Sequence, residues 1–302
     1  MVTFFALSAA LLYGSADFLG GMATRRAHVL SVLLVSSTAG MVVTGAAALL
    51  AGGTPRAAGI AWGIAAGAAG GVGFMFFYAG LAAGPMSVVA PLSALVSTVL
   101  PVAAALAEGE RLGLRVYAGA LLCVAAIVLV SSGGGPAAPE PPAAPARRVR
   151  GATGSPGTLV RRHSAARGIG YGFASGVAFG MFFLFIHNGG ESGALWPVAV
   201  ARLAGTLIVL AAAVATRTGP VRWRPDRRLF GTALGAGVLD ASANVCYVLA
   251  TRAGLFALAV VLTSLFPGVT VLLARVVLGE RMNWARRAGL ALAAAGILLV
   301  TV

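Results

Sequence analysis

The stretch GPMSVVAPLSALVSTVLPVAAALAEGERL, from Gly84 to Leu112, has a counterpart in GLFALAVVLTSLFPGVTVLLARVVLGERM, from Gly254 to Met282. Superimposing the two glycines is a shift of 254 − 84 = 170 residues. At that shift the identical positions include Leu92 on Leu262, Leu95 on Leu265, Val99 on Val269, and Gly109-Glu110-Arg111 on Gly279-Glu280-Arg281. Self-similarity at a fixed shift predicts that both halves of the chain share one architecture.

The composition excludes a water-soluble globule. Hydrophobic residues make up 59% of the chain and charged residues 10%, whereas soluble domains carry about a quarter charged residues. Apolar stretches of about 20 residues recur along the chain, which is the length that crosses a hydrocarbon core of about 30 Å. We therefore predict an all-α membrane protein with ten transmembrane helices, near residues 2–22, 29–51, 58–82, 85–107, 113–131, 166–187, 193–215, 229–250, 254–277 and 285–302.

Glycine, proline and arginine dominate residues 132–165, which predicts a disordered basic linker. The linker separates a first five-helix repeat, residues 1–131, from a second, residues 166–302. Because five is odd, the second repeat must enter the membrane from the opposite side. Inverted repeats are typical of secondary transporters, in which the substrate site lies near the midplane and the halves rock to give alternating access.

The formal net charge is +14, and arginine supplies all 22 basic residues. Most arginines lie between the apolar segments, where they meet lipid headgroups, so we expect membrane lipids and not nucleic acid as partners. Cys123 and Cys246 lie in apolar segments without metal or redox spacing, which favours inert buried thiols. We expect no cofactor and no metal, and the chain begins with an apolar run that we interpret as a retained span.

Three elements resemble a known family: Leu12-Tyr13-Gly14-Ser15 in the first span and the two Gly-Glu-Arg elements after spans 4 and 9. They are similar to the EamA family of the drug/metabolite transporter superfamily. The resemblance implies a transporter of the cytoplasmic membrane and does not identify the cargo, since members move amino acids, nucleotide precursors, sugars, amines and drugs, usually in exchange with protons or another solute. The second and seventh helices of the family often carry an arginine; here span 7 has Arg202 and span 2 has none.

Two acidic residues inside predicted spans are the leading candidates for a substrate or proton site, because buried charge is costly in a bilayer. Asp240 lies midway along span 8, with Asn244 and Tyr247 at i+4 and i+7 on the same face. Asp17 follows Tyr13 by one turn in span 1. Facing one cavity, the two carboxyls would repel each other and favour a retained proton. The alternatives are structural hydrogen bonding for Asp240 and helix capping or headgroup contact for Asp17.

Further candidates come from other spans. Arg202 needs an anion, which could be Asp240, a substrate or a headgroup. Tyr78 occupies nearly the same position in the first repeat as Tyr247 in the second. Each tyrosine could form a wall of the cavity or anchor its helix at the membrane interface. Pro91 and Pro267 each remove a backbone donor, so we expect helix breaks lining a wet pocket. Glycines spaced by four predict packing seams, namely Gly63, Gly67 and Gly71 in span 3 and Gly168, Gly172, Gly176 and Gly180 in span 6.

The sequence favours a secondary active transporter for a small organic metabolite or drug, with protons as a candidate coupling ion and a monomer or homodimer as the acting form. The alternative is a lipid or lipid-linked intermediate translocase of the same fold. An enzyme is disfavoured, because no nucleophile with a base and no phosphate loop is present in the sequence. Arginine-rich loops after spans 1, 5, 7 and 9 place both termini outside the cell, whereas the family resemblance implies termini inside.

Overall fold

The computed structural model describes residues 1–24, 26–27, 29–83, 86–111, 113–132, 157–190, 195–215, 227–279 and 283–301, and within these ranges every regular element is a helix. The helices are α1 (Val2–Thr24), α2 (Val29–Ala51), α3 (Ala57–Ala83), α4 (Met86–Ala107), α5 (Leu114–Ser132), α6 (Gly157–Gly189), α7 (Trp196–Ala215), α8 (Arg227–Ala253), α9 (Phe256–Thr263), α10 (Phe266–Leu278) and α11 (Trp284–Thr301).

Seven segments are long and apolar enough to cross a membrane: α1, α2, α3, α6, α7, α8, and α9 together with α10. Shorter apolar segments lie in α4, α5 and α11. The chain is therefore a multi-pass membrane protein. Large apolar side chains such as Phe4, Leu50 and Val276 are exposed, as expected where hydrocarbon replaces water as the solvent.

The glycines of the two Gly-Glu-Arg elements end helices. Gly109 follows α4 with φ +93°, and Gly279 follows α10 with φ +67°. Glycine takes this left-handed conformation without a steric penalty, so it terminates a helix sharply. Both glycines therefore lie at helix ends, while Glu280 and Arg281 lie outside the described residues.

The ninth predicted span is two helices in the structure. α9 ends at Thr263 and α10 begins at Phe266, directly before Pro267, whose ring leaves one backbone carbonyl without its helical donor. The predicted break at Pro91 is wrong, because α4 continues through it from Met86 to Ala107. Pro91 lies only five residues after the start of α4, so one carbonyl near the helix end loses its bond and the helix continues.

The structure also corrects the end of the predicted linker. α6 begins at Gly157, so residues 157–165 are helical and not disordered as the sequence analysis predicted. Residues 158–166 contain neither glycine nor proline, and nothing in that segment opposes continuation of the helix. Residues 133–156 of the linker lie outside the described residues.

Rows of glycine bring helices from the two halves into close contact. Gly63, Gly67 and Gly71 of α3 face α7, and a Cβ added at Gly63 would lie 2.6 Å from the carbonyl oxygen of Pro197. Gly172, Gly176 and Gly180 of α6 face α4 in the same way. The packing seams predicted from these glycines are confirmed. Such close approach is how helices associate where no hydrophobic effect drives them together.

Helix contacts in the two halves correspond in pairs. α3 packs against α6 and α7, and its counterpart α8 packs against α1 and α2. Likewise α4 packs against α6, while α9 and α10 pack against α1; α5 packs against α11, its own counterpart. Exchanging the halves therefore leaves this set of contacts unchanged, and most of the contacts join one half to the other.

Candidate functional site

A charged pair joins α7 to the middle of α8. Arg202 of α7 forms an ion pair with Asp240 of α8, through Nη2 and Oδ2. The same Nη2 donates to the Asp240 carbonyl oxygen at 3.4 Å. The Arg202 side chain is 19% exposed and that of Asp240 is 32% exposed, so a small molecule can reach the pair. Of the anions considered for Arg202, the structure supplies Asp240.

The predicted polar stripe on α8 has two different parts. Asn244 is 1% exposed, and its Nδ2 donates to the Asp240 carbonyl oxygen at 2.7 Å. Tyr247 is fully buried, and its hydroxyl donates to the Phe183 carbonyl oxygen of α6 at 3.3 Å. Tyr247 therefore bonds a neighbouring helix, and only the Asp240 end of the stripe is accessible. Tyr78 lies in α3, with its side chain outside the described residues.

Aromatic rings surround Tyr13 of α1 beside this pair. Its ring lies 6.4 Å from that of Phe183 and 6.1 Å from that of Phe266 at the start of α10. Phe183 in turn lies 4.9 Å from Tyr247. The sequence analysis missed Phe183 and Phe266, although the shift of 170 residues places Tyr13 on Phe183 (13 + 170 = 183) and so carried a signal.

Three buried polar atoms at this place have no hydrogen-bond partner among the described residues: Tyr13 Oη, Arg202 Nε and Asn244 Oδ1. Arg202 and Asn244 both bond Asp240, and Tyr13 interacts electrostatically with both members of the ion pair. Unpaired buried polar atoms cost about 1–3 kcal/mol each. Their convergence on one charged residue points to a site for a polar ligand.

Asp17 is exposed although it lies on the buried face of α1. Positions 6, 9, 10, 13, 14 and 16 are buried, and at about 100° per residue Asp17 points along the middle of their face. The lipid-facing side chains Phe4 and Leu11 lie on another side of the helix. Asp17 therefore faces an internal space, where it interacts electrostatically with Asp240.

The space beside Asp17 continues toward the end of α1. A Cβ added at Gly20 or Gly21 would meet nothing within 4 Å, and Gly21 is exposed. We call this part of the molecule, marked by Asp17, Gly20 and Gly21, the open end. Gly21 lies roughly 28 Å along α1 from Val2, from a rise of about 1.5 Å per residue.

The opposite end of the molecule is closed by contacts between the halves. Gly254 packs against Val2, which places the start of α9 beside the start of α1. There the Glu110 carboxylate accepts the backbone N–H groups of Phe256 and of Ala257, the latter at 2.9 Å. We call this part, marked by Val2, Glu110 and Phe256, the capped end.

His187 also lies at the capped end. The centroid of its ring lies 3.8 Å from that of Phe256, and the two rings are stacked. The nearby Arg252 side chain donates to the Gly190 carbonyl oxygen.

The two cysteines lie in apolar helices, away from the ion pair. Cys123 and Cys246 are free thiols, and Cys123 is buried where Gly296 of α11 packs against α5. Within the part of the chain that the structure describes, no three His, Cys, Asp or Glu side chains are grouped closely enough to hold a metal ion. The ion pair and the unpaired polar atoms around it can form ion pairs and hydrogen bonds with a ligand.

Comparisons with known proteins agree with the helical membrane fold. The model of a family described as the EamA-like transporter family matches residues 1–132 and 166–302. A solved crystal structure, whose description states no function, is similar with a TM-score of 0.72 and 21% sequence identity, covering 99% of this chain and 96% of that chain. At this identity the likeness concerns the fold alone. A search of curated proteins found no match.

Proposed function

Because this chain belongs to the EamA-like transporter family, we propose that it is a secondary carrier that moves a small organic metabolite or drug across the cytoplasmic membrane by alternating access. The ion pair between Arg202 and Asp240, with unpaired polar atoms around it, carries the proposal. Placing charged side chains inside a membrane protein costs free energy, so such residues usually belong to a functional site or pair with one another. Members of this family are transporters and not enzymes.

The carrier consists of two inverted five-helix repeats, residues 1–131 and 166–302. The correspondence of helix contacts between the halves supports this arrangement. Parallel packing of α3 with α7, where Gly63 faces Val200 and Gly71 faces Ile208, is matched by α8 with α2, where Gly237 faces Ser36. Repeats related in this way place the substrate between them, where Tyr13, Arg202 and Asp240 lie.

The two ends of the molecule support alternating access. Asp17 and the space beside Gly20 and Gly21 mark the open end, while contacts between the halves close the capped end. A carrier needs one end closed while the other is open, with the site between them. Protons are the proposed coupling ions, because Asp17 lies close enough to Asp240 to interact with it electrostatically and interacting carboxyls are candidates for proton exchange.

A thermal-shift screen of the purified protein against metabolites, drugs and lipids tests this function, since a ligand of the folded state raises the melting temperature by mass action. We expect a soluble compound to stabilise the wild type with an affinity that changes with pH, and to bind Asp240→Asn without that pH dependence. Glu108→Gln is the matched control, because Glu108 is an exposed carboxylate at the end of α4. Stabilisation by lipids alone would favour the lipid translocase instead.

A further inference from the structure

We infer that the substrate carries a carboxylate that displaces Asp240 from Arg202, and that Asp240 takes up one proton as it leaves. The inference rests on the proposed transport function and names the chemical class of the cargo. Before binding, the pair contains one positive and one negative charge. After binding, the substrate carboxylate is the negative partner of Arg202, and the neutral Asp240 carboxylic acid holds the proton on Oδ2.

The displaced partner has to be Asp240, because only one member of the pair can lose its charge. A carboxylate becomes neutral by accepting a proton, whereas a guanidinium does not deprotonate in proteins. A cationic substrate that took Asp240 would leave Arg202 charged and without a counter-ion. That arrangement is strongly unfavourable, because a low-dielectric interior does not compensate an isolated charge. The pair therefore selects for anionic substrates.

The same reasoning determines how many protons accompany the substrate. If a carboxylate entered without a proton, the site would hold two negative charges and one positive charge, with the carboxylate of Asp17 nearby adding a further repulsive interaction. Uptake of one proton per carboxylate keeps the charge of the pair unchanged. Binding and transport are then electroneutral for a monocarboxylate that carries no other charged group.

The three unpaired atoms match the functional groups of such a substrate. Arg202 pairs with Asp240 through Nη2 and leaves Nε–H without an acceptor, so a carboxylate can accept from both nitrogens in the usual fork geometry. Asn244 Oδ1 is an acceptor, since Nδ2 of the same amide is identified by its bond to a carbonyl oxygen. It requires a donor, such as a hydroxyl or amino group next to the carboxylate.

The aromatic rings beside the ion pair determine which side group the substrate can carry. Tyr13, Phe183 and Phe266 present aromatic surfaces next to the unpaired Tyr13 hydroxyl. These surfaces bind an apolar or aromatic group. The substrate class is therefore a carboxylate with a neighbouring hydrogen-bond donor and an apolar side group.

The titratable surroundings of Asp240 are few in the described structure. Arg202 faces it from α7, and Tyr13 and Asp17 face it from α1. Neither α2 nor α9, which also pack against α8, contains a titratable residue. Tyr247 belongs to α8 itself, and His187 of α6 lies at the capped end. Asp17 is thus the competing proton acceptor.

The test measures binding of two matched series to the purified full-length protein. The series are 3-phenyllactate with its methyl ester and 1-amino-3-phenylpropan-2-ol, and lactate with methyl lactate and 1-aminopropan-2-ol. We expect a carboxylate to bind at least tenfold tighter than its ester and its amine. Calorimetry in buffers of different ionisation enthalpy should count one proton taken up per ligand, so that Kd rises about tenfold per pH unit in the linked range.

Asp240→Asn separates this inference from its competitors. The variant should still bind the carboxylate, because Arg202 remains, but without proton uptake and without the pH dependence. Asp17→Asn should retain the uptake. In wild type, infrared difference spectra should show a protonated carboxyl appearing on binding, so the assignment stays testable if Asp240→Asn does not fold. Proton uptake that persists in Asp240→Asn and disappears in Asp17→Asn would assign the proton to Asp17 and overturn the inference.

The remaining outcomes are also decisive. Preference for an ester or an amine, or no binding by either carboxylate, overturns the substrate class. If other soluble compounds still stabilise the wild type in the screen described above, the proposed carrier function survives that failure. If lipids alone stabilise the protein, both the substrate class and the carrier function are wrong.

Discussion

Removal of the Glu110 carboxylate should open the capped end. This side chain accepts two backbone N–H groups at the start of α9, and it joins the end of α4 in the first half to a helix of the second half. Replacing a helix-capping side chain by alanine costs about 0.5–2 kcal/mol, and bonds to a charged acceptor are at the upper end of such values. A loss of about 1–2 kcal/mol changes an equilibrium by a factor of about 5–30.

The assay for this effect uses a single cysteine at position 260 in a background without Cys123 and Cys246. Val260 is 1% exposed on α9, so Val260→Cys should be alkylated only when the capped end opens. Glu110→Ala should raise the alkylation rate by about 5–30-fold if opening limits the reaction. Glu108→Ala, which removes an exposed carboxylate of the same loop, should leave the rate unchanged.

Two results would refute this reasoning about Glu110. An alkylation rate within twofold of the parent would mean that the cap does not hold this end closed. A second cysteine variant, Asp17→Cys, reports the open end, and in a carrier its reactivity should not increase when the capped end opens. An increase at both positions would indicate general loosening of the helices rather than alternating access.

Three further predictions concern the open end, the helix seam and the bond between α6 and α8. Asp17→Cys should react with a membrane-impermeant maleimide from one side of the membrane, whereas Leu11→Cys, on the lipid-facing side of α1, should not react; equal labelling would mean that Asp17 faces no aqueous space. Gly67→Leu should lower the melting temperature strongly because its Cβ would overlap α7, while Gly45→Leu, with nothing within 4 Å, should not; similar melting temperatures would contradict the seam. Tyr247→Phe should lower the free energy of unfolding by about 1 kcal/mol and keep ligand affinity within threefold, so loss of binding would return Tyr247 to the substrate site.

The membrane fold was largely predictable because its causes are local in the sequence. Apolar length predicts spanning helices, and glycines spaced by four predict seams that the structure contains. The start of α6 was misplaced because composition distinguishes linkers from helices poorly where arginine is abundant, and Pro91 was misjudged because a proline near a helix end disturbs it little.

The candidate site was predictable as a set of residues and not as an arrangement. Charged residues inside apolar spans are rare and easy to recognise in a sequence, so Asp240, Asp17 and Arg202 were identified as candidates. The positions of these residues in the sequence do not show that Arg202 pairs with Asp240, or that the Tyr247 hydroxyl donates a hydrogen bond to α6. Phe183 and Phe266 were missed because aromatic residues are common in apolar helices.

The sequence by itself determined the solvent of this protein, its helical class and its internal repeat, since each depends on residue types along one chain. Only the tertiary structure decided which charges neutralise each other, which polar atoms are left unpaired, and which end is closed by Glu110. These depend on contacts between helices far apart in the chain, such as the 146-residue separation between Glu110 and Phe256. The physical reason is that electrostatic and hydrogen-bond energies fall steeply with distance and angle, which helix packing sets and periodicity does not.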